Sequence, residues 1–294
     1  MNTKEYPNYY LAADQASLKA QSTYVRYVKW DLILMICSAL ITVYNYQTEE
    51  SKLVVYILSG VMLFGAMFIS IILKNKRYED IWYRGRALAE SCKTLTWRYI
   101  MCSEYFESNL LNSEAEKRFI GRIREINNEF SDLHGALAAS TIALPVITNE
   151  MRRVRQFSLD DRKVYYIDQR IQNQIDWYSS KADSNKSKYE NWFLIVIIFQ
   201  FLALLSIVYL IVYPMSDFNM VGLFSTISAS GFSWLQLKKY QEIKGAYTTA
   251  SSELNLIKAD LDTVVLDEDF SKYVLDSENA MSREHTMWLA QKRR

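Results

Sequence analysis

Proline and glycine are scarce, with 3 Pro and 8 Gly in 294 residues. So few turn-forming positions argue against a β-rich fold and in favour of long helices. Histidine occurs twice, as His134 and His285, too few and too far apart in the chain for a His-based catalytic or zinc site. Cysteine occurs three times (Cys37, Cys92 and Cys102), at spacings that match no metal motif. An odd, sparse set argues against a disulfide framework and fits a reducing compartment. The chain has no glycine-rich phosphate loop and no G-x-S-x-G elbow. Charge of one sign is also missing: the formal net charge is +1, so no global basic field argues for nucleic acid. The acidic runs Asp160-Asp161 and Asp267-Glu268-Asp269 read as helix starts or charged loops rather than metal sites. These readings predict no enzyme, no cofactor and no bound metal. The opening residues MNTKEYPNYYLAADQ contain no apolar core of a signal peptide, so the first apolar span is expected to direct its own insertion.

Hydrophobic residues make up 50% of the chain, and they are concentrated in a few runs. A hydrocarbon core of about 30 Å requires roughly 20 apolar residues as helix. Leu53–Leu73 meets this without a charge, and Trp192–Tyr213 meets it with one amide, Gln200. Two weaker runs, Leu32–Tyr46 and Phe218–Leu237, each lie beside a strong one across a short connector. Short connectors force antiparallel neighbours. The predicted fold is therefore all-α: an integral membrane protein with four transmembrane helices in two hairpins, at about 31–73 and 192–237, and with long cytoplasmic helical extensions. Lys and Arg cluster on the outer flanks (Lys29; Lys74, Lys76 and Arg77; Lys186 and Lys188; Lys238 and Lys239), whereas the tips carry Lys52 beside Glu49 and Glu50, and Asp217. By the positive-inside rule the protein is multi-pass with both termini and the middle segment cytoplasmic.

The second half echoes the first. Arg77-Tyr78-Glu79-Asp80-Ile81 follows the second span, and Lys239-Tyr240-Gln241-Glu242-Ile243 follows the fourth. The expected division is an N-terminal unit, 1–157, and a C-terminal unit, 158–294, each built as helix, span, tip, span, helix. Asn8–Trp30 is expected to run into the first span, and Lys74–Tyr105 to extend the second by about 45 Å. Ser113–Leu133 places Phe119, Ile123, Ile126 and Phe130 on one stripe, read as bundle core. Gly135–Glu150, with Pro145, is the expected break. Ser158 with Asp161 starts the next helix as a capping box, and that helix continues through Trp177 and Tyr178.

The fourth span holds the candidate functional face: Asn219, Gly222, Thr226, Ser230 and Ser233 fall near one side of a helix. Small and hydroxyl residues permit close helix packing in lipid. They also line narrow aqueous paths in assembled channels. Both readings stay open from sequence.

Three passages carry a resemblance: RALAESCKTLTWRY at 86–99, ITNEMRRVRQFSLDDRKVYYIDQRIQNQIDWYSSKA at 147–182, and ENAMSREHTMW at 278–288. Together they resemble the SLATT superfamily, two-span effector domains associated with SMODS and SLOG proteins in bacterial conflict systems, here as two units in tandem. The motif positions are Trp97, Arg98, Tyr99, Trp177, Tyr178, Glu284, His285 and Trp288. The resemblance implies a pore-forming or membrane-perturbing effector linked to a nucleotide signal in anti-phage defence. It implies a homo-oligomer in the bacterial inner membrane, with the lipid bilayer and a nucleotide-signalling sensor or synthase as partners. The alternative is a non-conducting helical scaffold or signalling partner.

Overall fold

The computed structural model describes residues 1–292, with side chains described except at 262, 263 and 283–292. The described residues are helical, with no strand: α1 Asn8–Ile41, α2 Glu49–Lys76, α3 Tyr78–Ile100, α4 Asn112–Glu129, α5 Ala139–Ile142, α6 Asn149–Arg155, α7 Leu159–Tyr166, α8 Asn173–Val212, α9 Val221–Lys238, α10 Tyr240–Ala259 and α11 Asp267–Lys292. A π-helical stretch, Ile167–Gln172, joins α7 to α8. The chain forms two compact units, and neither coincides with a sequence half. One comprises Met1–Gln21, Tyr78–Lys181 and Gly245–Arg294; the other comprises Ser22–Arg77 and Ala182–Lys244.

The first unit is built around aromatic side chains. Trp97, Tyr99, Phe106, Phe119, Tyr166 and Phe270 are fully buried. Helix α3 packs along α11 and against α4 and α6, so residues from both halves of the sequence share one core. Small residues let α1 approach α3: a Cβ on Gly85 would lie 3.2 Å from Ser17 Cβ and 3.3 Å from the Ala13 carbonyl oxygen. Ser17 Oγ donates to the Trp82 carbonyl at 2.8 Å across the same crossing. The α4 stripe is core as its period predicts, with Phe119, Ile123 and Phe130 buried and Ile126 packed against them. Ser158 caps α7, its Oγ accepting from the Asp161 N–H at 3.2 Å. The Asp160-Asp161 and Asp267-Glu268-Asp269 runs lie in first helical turns, where the helix dipole favours them.

The second unit contains two helical hairpins. In the first, Ser38 Oγ and Ser59 Oγ are 2.6 Å apart, Ser70 Oγ donates to Asp31 Oδ1 at 3.3 Å, and a Cβ on Gly65 would sit 3.3 Å from Leu34. In the second, Ser228 Oγ donates to the Val196 carbonyl at 3.2 Å and the Phe199 and Phe224 rings are 5.9 Å apart. The two tips meet: Tyr44 forms an antiparallel bridge with Phe218, with Asn45 N–H donating to the Asp217 carbonyl and Asn219 N–H to that of Val43 at 2.8 Å.

Two stretches, Glu49–Ile100 and Leu159–Val212, are long and apolar enough to cross a membrane, and only 6% of the most apolar window of each is buried. A soluble core helix of that composition would be covered by protein. The other two predicted spans do not reach that standard. α1 ends at Ile41, so the run Leu32–Tyr46 leaves the helix before its end. α9 starts at Val221 rather than Phe218, and its serines and threonine dilute its apolar character.

The predicted straight extension of the second span over Lys74–Tyr105 is also corrected. Arg77 takes a left-handed conformation, φ 49°, so α2 stops there, and α3 ends at Ile100 before left-handed Cys102 and Tyr105. Lys239, at the matching position of the sequence echo, has φ 47° and ends α9 in the same way. α1 and α8 contribute to both units without such a break. A side chain in this region costs on the order of 1–2 kcal/mol relative to glycine. Arg77→Gly and Lys239→Gly are each expected to raise stability by about 1 kcal/mol, whereas Val at either position should lower it; thermal unfolding of the detergent-solubilised protein checks the pair.

Candidate functional site

The small and polar residues of α9 occupy two faces of that helix. Phe224, Ser228, Gly231 and Leu235 follow helical spacing and face α8; Ser228, Gly231 and Leu235 are buried, and a Cβ on Gly231 would lie 3.0 Å from Val196 Cγ2. The Trp192 and Trp234 rings, 5.9 Å apart, close the same interface toward its basic end, where Lys238 Nζ lies 5.0 Å from the Trp234 ring centroid. Ser228 and Gly231 were absent from the sequence-predicted face. Their register with Phe224 is the signal that identifies them.

The predicted face is divided by the fold. Ser230 is buried and Thr226 half-buried, whereas Gly222 and Ser233 are exposed. Asn219 precedes the helix, and its side-chain oxygen accepts from the Val221 N–H at 3.2 Å. Ser225, Ala229 and Gln236 are exposed beside Gly222 and Ser233. On α8, Gln200 is exposed in the middle of the apolar run. The outer surfaces of α2 and α8 otherwise present large apolar groups such as Ile57, Phe64, Phe68, Ile198, Phe201 and Leu204. In lipid, where water is absent, such groups bond to a carbonyl of their own helix, as Ser206 does to Leu202 at 2.8 Å, to a neighbouring helix, or to water along an aqueous path.

The motif positions lie in the aromatic unit. Trp97 is 1% exposed; its Nε1–H donates to Tyr6 Oη at 2.9 Å, and its ring packs with Tyr166 at 5.8 Å. Arg98 donates to the Glu104 carbonyl at 3.2 Å and lies 4.9 Å from the Tyr105 ring centroid. Tyr99 is buried, and burial pushes its hydroxyl up to about 12. Tyr178 is buried beside the more exposed Trp177, and both rings pack with Tyr247. Glu284, His285 and Trp288 lie outside the residues whose side chains are described.

Three buried arginines surround the first motif. Arg155 donates from Nη1 to the carbonyls of Tyr99 and Phe106, both at 2.8 Å, and Arg162 donates to that of Met101 at 3.1 Å. They supply donors to carbonyls at the end of α3 and the turn beyond, where a helix leaves its acceptors unsatisfied and the dipole favours cations. Arg162 also pairs with Asp267 in the first turn of α11 at 2.6 Å. Arg170, on the π stretch, binds Glu278 of α11 with two hydrogen bonds, 2.8 and 2.7 Å, and Tyr166 Oη–H donates to the same carboxylate at 3.1 Å. Burial opposes the Arg170 charge, but the Glu278 carboxylate outweighs it and holds the guanidinium above its ordinary range. Sequence reading missed this pair. One signal was present: Glu278 falls at helical spacing between the apolar positions Val274 and Met281, on a buried face.

Among the described residues no group of three or more His, Cys, Asp or Glu is placed to hold a metal ion. The three cysteines are unpaired, and burial raises the Cys92 thiol to about 12, away from reactive thiolate.

Residues 7–163 match the family described as SMODS and SLOG-associating 2TM effector domain 3, and residues 166–288 match SMODS and SLOG-associating 2TM effector domain 1. No curated protein and no solved structure matches the chain significantly. The two matches meet within α7, and each contains one of the two apolar stretches' membrane-length runs. With an all-helical fold and those two apolar helices, the chain belongs to the SLATT family of two-transmembrane effector domains, carries two such domains in tandem, and is a membrane protein.

Proposed function

We propose that this protein is a pore-forming or membrane-perturbing effector of a bacterial anti-phage conflict system, working as a homo-oligomer in the inner membrane. In this reading all four hairpin helices cross the bilayer, two for each tandem domain, with the units divided near 157. An 18-residue helix such as α9 rises about 27 Å, close to the hydrocarbon thickness. Lys and Arg on the flanks direct both termini and the middle segment to the cytoplasm and the joined tips outward. A nucleotide-signalling sensor or synthase supplies the trigger.

The observation that carries the reading is the exposure of Gln200, Ser225 and Ser233 on helices whose surroundings suit lipid. Interhelical hydrogen bonds from such residues are worth about 0.6–2 kcal/mol each, which favours association of copies through this surface. The same groups, turned toward a central axis, hydrate a pore. The test is ion and dye release from liposomes containing the full chain, together with membrane potential in expressing cells. Wild type is expected to depolarise cells, and Ser225→Leu with Ser233→Leu to change conductance several-fold. Gln200→Leu should weaken cross-linked oligomers. Intact liposomes and unchanged potential, with a soluble partner bound, would overturn the pore in favour of a non-conducting scaffold.

A further inference from the structure

In the aromatic unit, a cavity of about 180 Å³ lies beside the π-helical stretch, with Tyr6, Tyr10, Lys93, Gln169, Asn173 and Gln174 among its lining. π turns recur at functional sites because the extra residue displaces side chains from the helical register. Here both Gln169 and Arg170 line the cavity, and Arg170 is at the same time bound to Glu278.

The wall is rich in donors. Tyr6 Oη accepts from Trp97, and burial raises both Tyr6 and Tyr10, the latter to about 12, so each phenol keeps a proton to donate. Asn173 and Gln174 add amides. The carboxylates nearby are already engaged: Glu90 is bound by Arg86 at 2.7 Å, Asp14 faces Arg86 at 3.5 Å, and Glu278 is held by Arg170. Lys93 reaches Glu90 only at 4.0 Å, with its side chain 18% exposed. Burial draws Lys93 below its ordinary range, partly opposed by Glu90, and Arg170 and Arg86 add to the lowering. A cation so weakly compensated gains from an anion that supplies both charge and acceptors.

We propose that this cavity binds a phosphate-bearing anion, with Lys93 as its counter-charge and Tyr6, Tyr10, Asn173 and Gln174 as hydrogen-bond donors. Several separate donors suit a tetrahedral group with oxygens on every side better than a planar carboxylate. The volume is ample for a phosphate group. The inference does not depend on the pore reading, because its test is binding alone.

The experiment titrates the full-length protein in detergent with inorganic phosphate, and separately with phenyl phosphate, at constant ionic strength. Calorimetry and thermal unfolding are followed. Wild type is expected to show saturable binding and a rising Tm. Lys93→Met should lose at least tenfold in affinity. Without ligand it should melt no lower than wild type, because it removes a poorly paired cation and leaves Glu90 with Arg86. Gln174→Ala, at a partly exposed position, should weaken binding several-fold without altering the unliganded melt. Phenyl phosphate binding more tightly than phosphate identifies the end of a larger ligand; weaker binding identifies free phosphate. The proposal is overturned if neither probe saturates, if acetate shifts Tm equally, or if Lys93→Met binds as wild type does.

Discussion

Glu278→Ala is expected to lower the stability of the aromatic unit by about 3–5 kcal/mol, the usual cost of removing one partner from a buried ion pair. The side chains on both sides are essentially inaccessible: Arg170 is 3% exposed and Glu278 0%. Without the carboxylate, Arg170 would be left as a buried charge deprived of its acceptor. Tyr166 Oη–H would lose its acceptor as well, a further penalty of the kind that attends any unsatisfied buried donor. The loss exceeds what the pair itself contributes, because most of it is the desolvation of what remains. Replacing both partners, as Arg170→Met with Glu278→Leu, should therefore recover most of the deficit, since apolar side chains of similar size satisfy the same space. Chemical denaturation of the purified protein in detergent, monitored by the near-ultraviolet signal of the aromatic core, measures both variants against wild type. A deficit under about 1 kcal/mol in Glu278→Ala, or a double variant worse than the single, would falsify this account of the pair.

The sequence made some of this structure legible and hid the rest for physical reasons. Periodicity found the α4 stripe, because Phe119, Ile123 and Phe130 are large, apolar and spaced at one face of a helix. Ser158 identified the start of α7 because a cap is a local device that depends on residues within one turn. The helix stops at Arg77 and Lys239 were not legible. Left-handed residues there are usually glycine or asparagine, and a basic side chain in a membrane-flank position reads as a topology signal instead. Their equivalence emerges only when the two φ angles are set beside the sequence echo. The Arg170–Glu278 pair was hidden because its members are 108 residues apart and a charge is ordinarily assigned to solvent. Most of the candidate face falls on α9, but the division between exposed Ser233 and buried Ser228 and Gly231 depends on which side meets α8. That is set by tertiary packing, which helical spacing alone does not contain.

Two of the three motif tryptophans, Trp97 and Trp177, should respond very differently to truncation, although sequence treats them alike. Trp97→Ala is expected to cost about 3–5 kcal/mol, in the range for a fully buried aromatic. The ring is enclosed by Tyr165 and Tyr166, with the Arg170 guanidinium 5.8 Å from its centroid, so the void opens beside the buried charge pair. Trp97→Phe separates volume from hydrogen bonding. It retains a ring but removes the indole N–H that donates to Tyr6, and about 1–3 kcal/mol is expected. Trp177, 36% exposed, touches Tyr178 and Tyr247 at ring edges and leaves much of its surface open. Trp177→Ala should cost only about 1 kcal/mol, because less apolar area returns to water and the space is already open to solvent. Equilibrium unfolding of the three variants under one set of detergent conditions measures this order. If Trp177→Ala were as damaging as Trp97→Ala, burial would not be what sets the cost. If the expected order holds and Trp177→Ala nevertheless abolishes membrane depolarisation in cells, the deficit belongs to a surface contact made in assembly. That comparison separates the part of the motif that holds the fold from the part that acts.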